Sequence, residues 1–132
     1  MFNPSRRDAL TSLGTLAVLG SATQFLDAQE PKQEKKRLKL GQIGVGHAHA
    51  SKLSVYRDSS DYEVVGIVEP DEALRKLAEN SATYRGLKWL TREQLLETPG
   101  LQAVLVETRV RDLLDNAEAC VKAGMHIHID KP

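Results

Sequence analysis

A short apolar run meets a Gly-x-Gly turn in the segment Leu38-Lys39-Leu40-Gly41-Gln42-Ile43-Gly44-Val45-Gly46-His47-Ala48-His49. In a βα unit, the first glycine permits a tight turn, and the second lets the backbone approach a pyrophosphate. A helix that follows such a turn directs unpaired N–H groups and the positive end of its dipole at the anion. The segment therefore predicts the first strand and phosphate-binding turn of a nucleotide-binding α/β domain.

The composition places the chain among ordinary globular proteins. It has 132 residues, which suffice for a single domain with a single core. Lys+Arg and Asp+Glu both number 18, so the net charge of zero gives no electrostatic signal for nucleic acid or a membrane surface. The lone cysteine, Cys120, excludes an internal disulfide framework and a cysteine-cluster metal site within this chain.

The N-terminal residues resemble an export signal. Ser5-Arg6-Arg7 precedes an uncharged run over 9–22 that is rich in Leu, Ala, Gly, Ser and Thr. This order is typical of a twin-arginine signal, and the run is shorter than the roughly 20 residues that cross a bilayer. We expect a signal segment over 1–28, a solvated linker over 29–37 and a periplasmic or exported protein. The alternative is an N-terminal helix that belongs to the fold, in which case the protein would be cytoplasmic.

From residue 38 onward, apolar runs alternate with helical periods. The pattern predicts five strands over 38–45, 63–69, 87–90, 102–107 and 125–129, with the first helix over 47–57. Alternating strands and helices are typical of a doubly wound parallel sheet, here a single Rossmann-like domain over 38–132 with strand order 3-2-1-4-5. The switch point would then lie beside Gly44 and Gly46.

Local signals define several helix ends. Asp71 is a candidate N-cap, Thr91 and Gln94 have the spacing of a capping box, and Gly124 is the expected residue after the last helix. The last helix should bury one stripe of apolar residues, which comprises Leu113, Leu114, Ala117, Cys120 and Val121.

An acidic residue completes the nucleotide-binding pattern. Glu69 ends the second predicted strand, 25 residues after Gly44. A carboxylate there accepts hydrogen bonds from ribose hydroxyls and repels a 2′-phosphate, so the pattern favours NAD over NADP. His49 replaces the third glycine of G-x-G-x-x-G, which predicts looser helix packing and an imidazole near the phosphates. The alternative is an α/β domain with a tight first turn and an exposed glutamate.

Other ligand classes fit the residues less well. A methyltransferase normally has an acidic residue before the first glycine, where this chain has Gln42 and Ile43. Flavin proteins usually retain the third glycine in a much longer chain. His126 and His128 share a strand face, but neither a cysteine nor a carboxylate nearby completes a coordination set, so we expect no metal site.

Four segments between residues 38 and 132 match the pattern of one family. They are Ile43-Gly44-Val45-Gly46-His47-Ala48-His49-Ala50, Val65-Gly66-Ile67-Val68-Glu69-Pro70-Asp71, Ala103-Val104-Leu105-Val106 and Ala123-Gly124-Met125-His126-Ile127-His128-Ile129-Asp130-Lys131-Pro132. With these segments the chain resembles the N-terminal domain of the glucose–fructose oxidoreductase/inositol dehydrogenase (Gfo/Idh/MocA) family. The last segment corresponds to the family's AGKHVxxEKP, with Asp130 for the usual Glu.

The resemblance implies a role for particular residues. Lys131 corresponds to the family's catalytic lysine beside nicotinamide and substrate, and Pro132 to a proline often preceded by a cis bond. Thr108 corresponds to a threonine that lines the cofactor cleft. Arg109 and Leu113 stand where the family has Pro and His, so Arg109 or Arg111 could receive an anionic group. The implied cofactor-binding residues are Gly44, Gly46, His47, His49, Glu69 and Thr108.

The same resemblance implies a function. It indicates the NAD-binding domain of an oxidoreductase that acts on a sugar, polyol or related hydroxy compound. Family members continue after E-K-P into a second domain that holds the substrate pocket and most of the oligomer interface. We therefore expect the chain to stop at the domain seam, to bind the dinucleotide weakly by itself and to turn nothing over. The alternative is a non-catalytic nucleotide- or partner-binding module on the same fold.

Overall fold

The computed structural model describes residues 34–130, which form a four-stranded sheet flanked by helices. The strands are β1 (Leu38–Ile43), β2 (Tyr62–Val68), β3 (Leu101–Val106) and β4 (His126–Ile129). All pairings are parallel, and the spatial order is β2-β1-β3-β4. The predicted doubly wound Rossmann-like domain is therefore confirmed. Within the described residues no helix is long and apolar enough to cross a membrane.

The connections are helical. A 3-10 turn (Ala50–Lys52) leads into α1 (Leu53–Asp58), and α2 (Glu72–Glu79) and α3 (Arg92–Leu96) follow β2. The longest helix of residues 34–130, α4 (Val110–Lys122), joins β3 to β4. Because β2 and β3 lie on opposite sides of β1, the connections that leave β1 and β2 run in opposite directions across the sheet, and the switch point lies between β1 and β3. In such sheets the switch point opens a crevice at the carboxyl ends of the strands.

The core lies on both faces of the sheet. Leu40 of β1 and Ile67 of β2 pack with Leu53 of α1 on one face. Ile43 of β1 packs on the other face, in a cluster that includes Leu95 of α3. Burial on both faces explains why the strands are apolar along most of their length.

The predicted third strand is wrong. Residues 87–90 make one isolated parallel bridge, between Trp89 and Ile67, beside β2 where the predicted order had placed that strand. Ile67 donates to the Lys88 carbonyl at 2.9 Å and accepts from Leu90 at 2.8 Å. The ladder cannot extend further because the next residue, Thr91, already caps α3.

The predicted start of the first helix is also wrong. Helical structure begins at Ala50 rather than at His47. The backbone before Ala50 makes other hydrogen bonds. The N–H of His47 donates to the Glu107 carbonyl at 3.2 Å, and the N–H of His49 donates to the His47 imidazole at Nδ1, at 3.3 Å. These contacts hold residues 44–49 as a loop.

The predicted helix caps are confirmed. Asp71 Oδ1 accepts from the N–H groups of Ala73 and Leu74 at 2.9 and 3.2 Å. Thr91 and Gln94 form the reciprocal capping box. Gly124, which follows the C-cap residue Ala123 of α4, has the positive φ of +77° that favours glycine.

The stripe predicted for α4 is too wide. Leu113, Ala117 and Cys120 are buried, but Leu114 is 75% exposed and Val121 57% exposed. Each helical step rotates a side chain by about 100°, so a residue next to a buried one lies well off the buried face. The signal segment predicted over 1–28, linker residues 29–33 and Lys131 with Pro132 lie outside the described residues.

Candidate functional site

The turn after β1 is built against the end of β3. Gly44 has φ +93°, and a Cβ at this position would lie 2.6 Å from the Thr108 nitrogen and 2.7 Å from the Glu107 carbonyl carbon and oxygen. A real Cβ cannot occupy that position without moving backbone. The glycine is therefore required both by conformation and by the close approach of the two strand ends.

A buried amide fixes the far side of the turn. Gln42 is fully buried, and its Nε2 donates to the carbonyls of Gly44 at 2.9 Å and Ala50 at 3.3 Å. The same nitrogen lies 3.5 Å from the Tyr84 hydroxyl, whose pKa is raised mainly by burial. Gln42 thus connects both ends of the loop over 44–50. In the sequence alone, Gln42 indicates only that a methyltransferase fits less well.

Glu69 lies beside the turn, at the end of β2. Its Oε2 accepts from the Val45 N–H at 3.0 Å, and its Oε1 accepts from the Asp71 N–H at 2.9 Å. The two backbone bonds fix the direction of the carboxylate. Each carboxylate oxygen has a second lone pair, so Glu69 can still accept a hydrogen bond from a ligand hydroxyl.

Two backbone donors of the loop are available to a ligand. Among residues 34–130, the N–H groups of Gly46 and Ala48 donate to no described acceptor, whereas those of Gly44, Val45 and His47 are bonded. Neighbouring free N–H groups in a loop before a helix attract anions. The turn can therefore offer two donors to a phosphate.

These elements border one open cleft of about 1020 Å³ at the carboxyl edge of the sheet. This volume is at the upper end of the roughly 300–1,000 Å³ of small-molecule sites. Gly44, Gly46, Glu69 and Thr108, all predicted from the sequence, line it together. Thr108 is 9% exposed, and its Oγ1 is buried without a hydrogen-bond partner among the described residues. A buried hydroxyl without a partner is uncommon, and either a water molecule or a polar ligand of the adjoining cleft could supply its hydrogen bond.

Two arginines lie where the resemblance had suggested anion contacts. Arg109 and Arg111 both line the cleft, and Arg109 Nη2 lies 3.5 Å from Asp71 Oδ2 across it. Arg109 and Leu74 flank Gly46, since a Cβ there would lie 3.4 and 3.3 Å from their side chains. An ion pair this exposed contributes at most about 1 kcal/mol, so an anionic ligand can readily replace Asp71 as the partner of Arg109.

The side chains of His47 and His49, which the sequence also predicts to bind the cofactor, are not among those that line this cleft. His47 Nδ1 is 3.3 Å from Glu107 Oε2 and 3.8 Å from Asp130 Oδ2, and His49 Nδ1 contacts Asp130 directly. Glu107 and Asp130 were not predicted as site residues. Glu107 ends the apolar run of β3 as Glu69 ends that of β2, and this shared position is the signal that could have identified it.

Known proteins support this reading of the geometry. The model of an oxidoreductase family with an NAD-binding Rossmann fold matches residues 38–132. No curated protein is a significant match in sequence.

Solved structures share the fold. Biliverdin reductase from Synechocystis, in complex with biliverdin and NADP⁺, has a TM-score of 0.60 and 25% identity over 72% of this chain and 29% of its own. An NAD-binding protein from Listeria innocua has a TM-score of 0.61 and 24% identity over 74% and 28%. The WlbA dehydrogenase from Bordetella pertussis, in complex with NADH and UDP-GlcNAcA, has a TM-score of 0.60 and 19% sequence identity, and the match covers 74% of this chain and 29% of WlbA.

This chain thus spans less than a third of the length of these structural neighbours. The match to the family model covers well over half of the chain and includes the turn, Glu69 and Thr108. The chain therefore belongs to the Gfo/Idh/MocA oxidoreductase family, of which it contains the NAD-binding Rossmann-fold domain.

Proposed function

We propose that this domain binds NAD in the cleft between β1, β2 and β3 and serves an oxidoreductase that acts on a sugar, polyol or related hydroxy compound. When bound, the nicotinamide ring would accept a hydride from the substrate or donate one to it. The observation that carries the proposal is the position of Glu69, whose carboxylate is held against the Gly-x-Gly turn by its bond to Val45.

The described residues fit a dinucleotide part by part. The free N–H group of Gly46, which borders the cleft, would donate to the pyrophosphate, with Arg109 released from Asp71 as a counter-charge. Thr108 Oγ1 would gain the hydrogen-bond partner that it lacks. The remaining lone pairs of the Glu69 carboxylate oxygens would accept hydrogen bonds from the ribose hydroxyls.

The same carboxylate supports a preference for NAD over NADP. The structural neighbours include proteins bound to NADH and to NADP⁺, so the fold accepts either. In this chain a 2′-phosphate would be placed beside the Glu69 carboxylate, and like charges at this distance repel. We expect NAD⁺ to bind more tightly than NADP⁺.

The experiment is a calorimetric titration of the full chain with NAD⁺, NADP⁺ and S-adenosylmethionine. Glu69→Gln keeps the size of the side chain and removes its charge; it should weaken NAD⁺ binding about tenfold, the magnitude of one charge-assisted hydrogen bond, and lower the preference for NAD⁺. The matched control is Glu63→Ala, an exposed carboxylate at the other end of β2, which should change neither affinity by more than about twofold.

The outcomes separate the candidate functions. Tighter binding of NAD⁺ that depends on Glu69 supports the proposal. Absence of binding by any of the three ligands would indicate the alternative, a partner-binding module on the same fold. An unchanged preference in Glu69→Gln would contradict the ribose assignment even if NAD⁺ binds.

A catalytic role for Lys131 belongs to the same proposal and rests on the family resemblance. Its ammonium group would orient a substrate hydroxyl and stabilise negative charge on that oxygen. In the complete oxidoreductase, Lys131→Met should lower turnover by at least about 100-fold while the NAD⁺ affinity stays within about twofold. A parallel loss of NAD⁺ affinity would instead assign Lys131 to cofactor binding.

Export through the twin-arginine pathway is likewise proposed, on the sequence Ser5-Arg6-Arg7 and the uncharged run that follows it. This pathway exports folded proteins with cofactor bound, which would suit a dinucleotide-binding domain outside the cytoplasm. Replacing Arg6 and Arg7 together by lysine should leave the protein in the cytoplasmic fraction. Export that persists in this variant would refute the assignment.

A further inference from the structure

Side chains from three separate parts of the chain meet beside the loop over 44–49. His47 and His49 come from the loop itself, Glu107 from the end of β3 and Asp130 from the end of β4. Donor atoms of His47, His49 and Asp130 all lie within 4.8 Å of one another. We call these three residues and Glu107 the histidine–carboxylate cluster. It lies at the carboxyl edge of the sheet, as does the dinucleotide cleft, but it shares no lining residue with that cleft.

Glu107 is the most deeply buried member of the cluster. The residue is 2% exposed, and its Oε2 makes no hydrogen bond within the described residues. This oxygen lies 3.3 Å from His47 Nδ1. A buried carboxylate is costly unless a positive charge lies near it. A cation bound by the neighbouring imidazoles would provide that charge.

The donor atoms define the kind of cation. Imidazole nitrogen combined with carboxylate oxygen suits zinc and the other divalent first-row transition metals, whereas Mg²⁺ and Ca²⁺ favour oxygen ligands alone. Bonds of about 2.0–2.2 Å to a tetrahedral ion separate its ligand atoms by roughly 3.4 Å. The separation of 3.8 Å between the proposed ligand atoms His47 Nδ1 and Asp130 Oδ2 is close to this value, whereas His49 and Asp130 are in direct contact and would move apart to admit the ion.

We propose that His47, His49 and Asp130 bind one divalent transition-metal ion of the zinc type, with Glu107, whose Oε2 lies 3.3 Å from His47 Nδ1, as a buried negative charge beside the ion. Three protein ligands leave the fourth position of a tetrahedral ion open to water or another oxygen ligand. The side chains of His47 and His49 are 21% and 46% exposed, so an ion can reach the site from solvent.

The site is tested by titration of the untagged full chain with Co²⁺, followed by its visible d–d absorption, and by displacement with Zn²⁺. We expect one ion per chain. His49→Ala and Asp130→Asn should each weaken binding by at least tenfold, and Glu107→Gln by about 10- to 100-fold, as expected for an outer-shell partner. Far-ultraviolet circular dichroism of each variant shows whether it is folded, and wild-type stoichiometry decides the case if a variant is not.

The control is His128→Ala, which removes an exposed histidine of β4 outside the cluster. Its affinity should stay within about twofold of the wild type, whereas an equal loss in His128→Ala and His49→Ala would overturn the proposal. Failure of the wild-type chain to bind Co²⁺ or Zn²⁺ at one ion per chain would also overturn it. The titration uses no nucleotide, so its result is independent of NAD⁺ binding.

Discussion

Substitution of Gly44 by alanine tests the geometry of the whole site edge. The new methyl group would overlap the Thr108 nitrogen at 2.6 Å and the Glu107 carbonyl at 2.7 Å. Both are backbone atoms, and Glu107 N donates to the Ile43 carbonyl at 2.8 Å in the adjoining ladder. The overlap can therefore be relieved only by separating the ends of β1 and β3.

The magnitude follows from three contributions. A positive φ of +93° costs alanine about 1–2 kcal/mol relative to glycine. Reduced freedom of the unfolded chain returns about 0.4–1 kcal/mol. Overlap with packed atoms adds about 1–3 kcal/mol. We expect Gly44→Ala to lower the free energy of unfolding by roughly 2–4 kcal/mol.

The assay is urea denaturation at equilibrium, with Gly86→Ala as the matched control. Gly86 has φ +77°, but a Cβ there would meet no atom within 4 Å. The control therefore carries only the conformational contributions, about 1 kcal/mol. Equal losses in the two variants would refute the close approach of the strand ends, and a loss below about 0.5 kcal/mol in Gly44→Ala would refute the turn conformation as well.

Four further changes have defined outcomes. Leu95→Ala should lower the free energy of unfolding by about 2–5 kcal/mol in urea denaturation, because this fully buried residue packs α3 onto the sheet. Its control, Leu114→Ala at an exposed position, should lower it by less than about 0.5 kcal/mol, and similar losses in the two variants would contradict the assigned core. Thr91→Ala should cost about 0.5–2 kcal/mol in the same assay by removing the capping box, and a neutral result would contradict that box. Burial raises the pKa of the Cys120 thiol above its ordinary 9.0, so the native state keeps this proton to higher pH than the unfolded chain does. The free energy of unfolding should therefore fall as the pH rises past 9, and Cys120→Ala should make this fall less steep. Equal pH slopes in the wild type and the variant would argue against a contribution from Cys120. In Gly46→Ala the new methyl group would contact only two side chains, both able to move, so the free energy of unfolding should change by less than about 1 kcal/mol. Calorimetry should show at least tenfold weaker NAD⁺ binding, and an unchanged NAD⁺ affinity would exclude pyrophosphate contact at this turn.

Local chemistry explains which elements could be predicted from the sequence. The strands that became β1, β2 and β3 are apolar runs bounded by turn residues, and the α/β alternation predicts the parallel sheet that they form with β4. The caps at Asp71 and Thr91 depend on side chains within three residues of the helix start. Signals of this range are readable because the interacting groups are neighbours in the chain.

Features that depend on distant residues were not predictable. The segment around Trp89 has the residues of a strand, but the cap at Thr91 limits it to one bridge. The role of Gln42 becomes visible only when the loop returns Ala50 to it. Asp130 reaches His49 across 81 residues, and nothing in the spacing of the loop histidines indicates this carboxylate.

One substitution in the fingerprint links the loop to both proposed sites. Where the G-x-G-x-x-G pattern has its third glycine, which brings helix and strand close together, this chain has His49. Its imidazole turns to Asp130, and helical structure is delayed until Ala50. The loop leaves the N–H groups of Gly46 and Ala48 without an acceptor among the described residues, while its imidazoles lie beside carboxylates at the ends of β3 and β4. If both proposals hold, His49→Gly should weaken metal binding by at least tenfold, as His49→Ala does, and shift the loop toward the usual fingerprint, with NAD⁺ binding retained. Simultaneous loss of both would mean that the loop acts as one site.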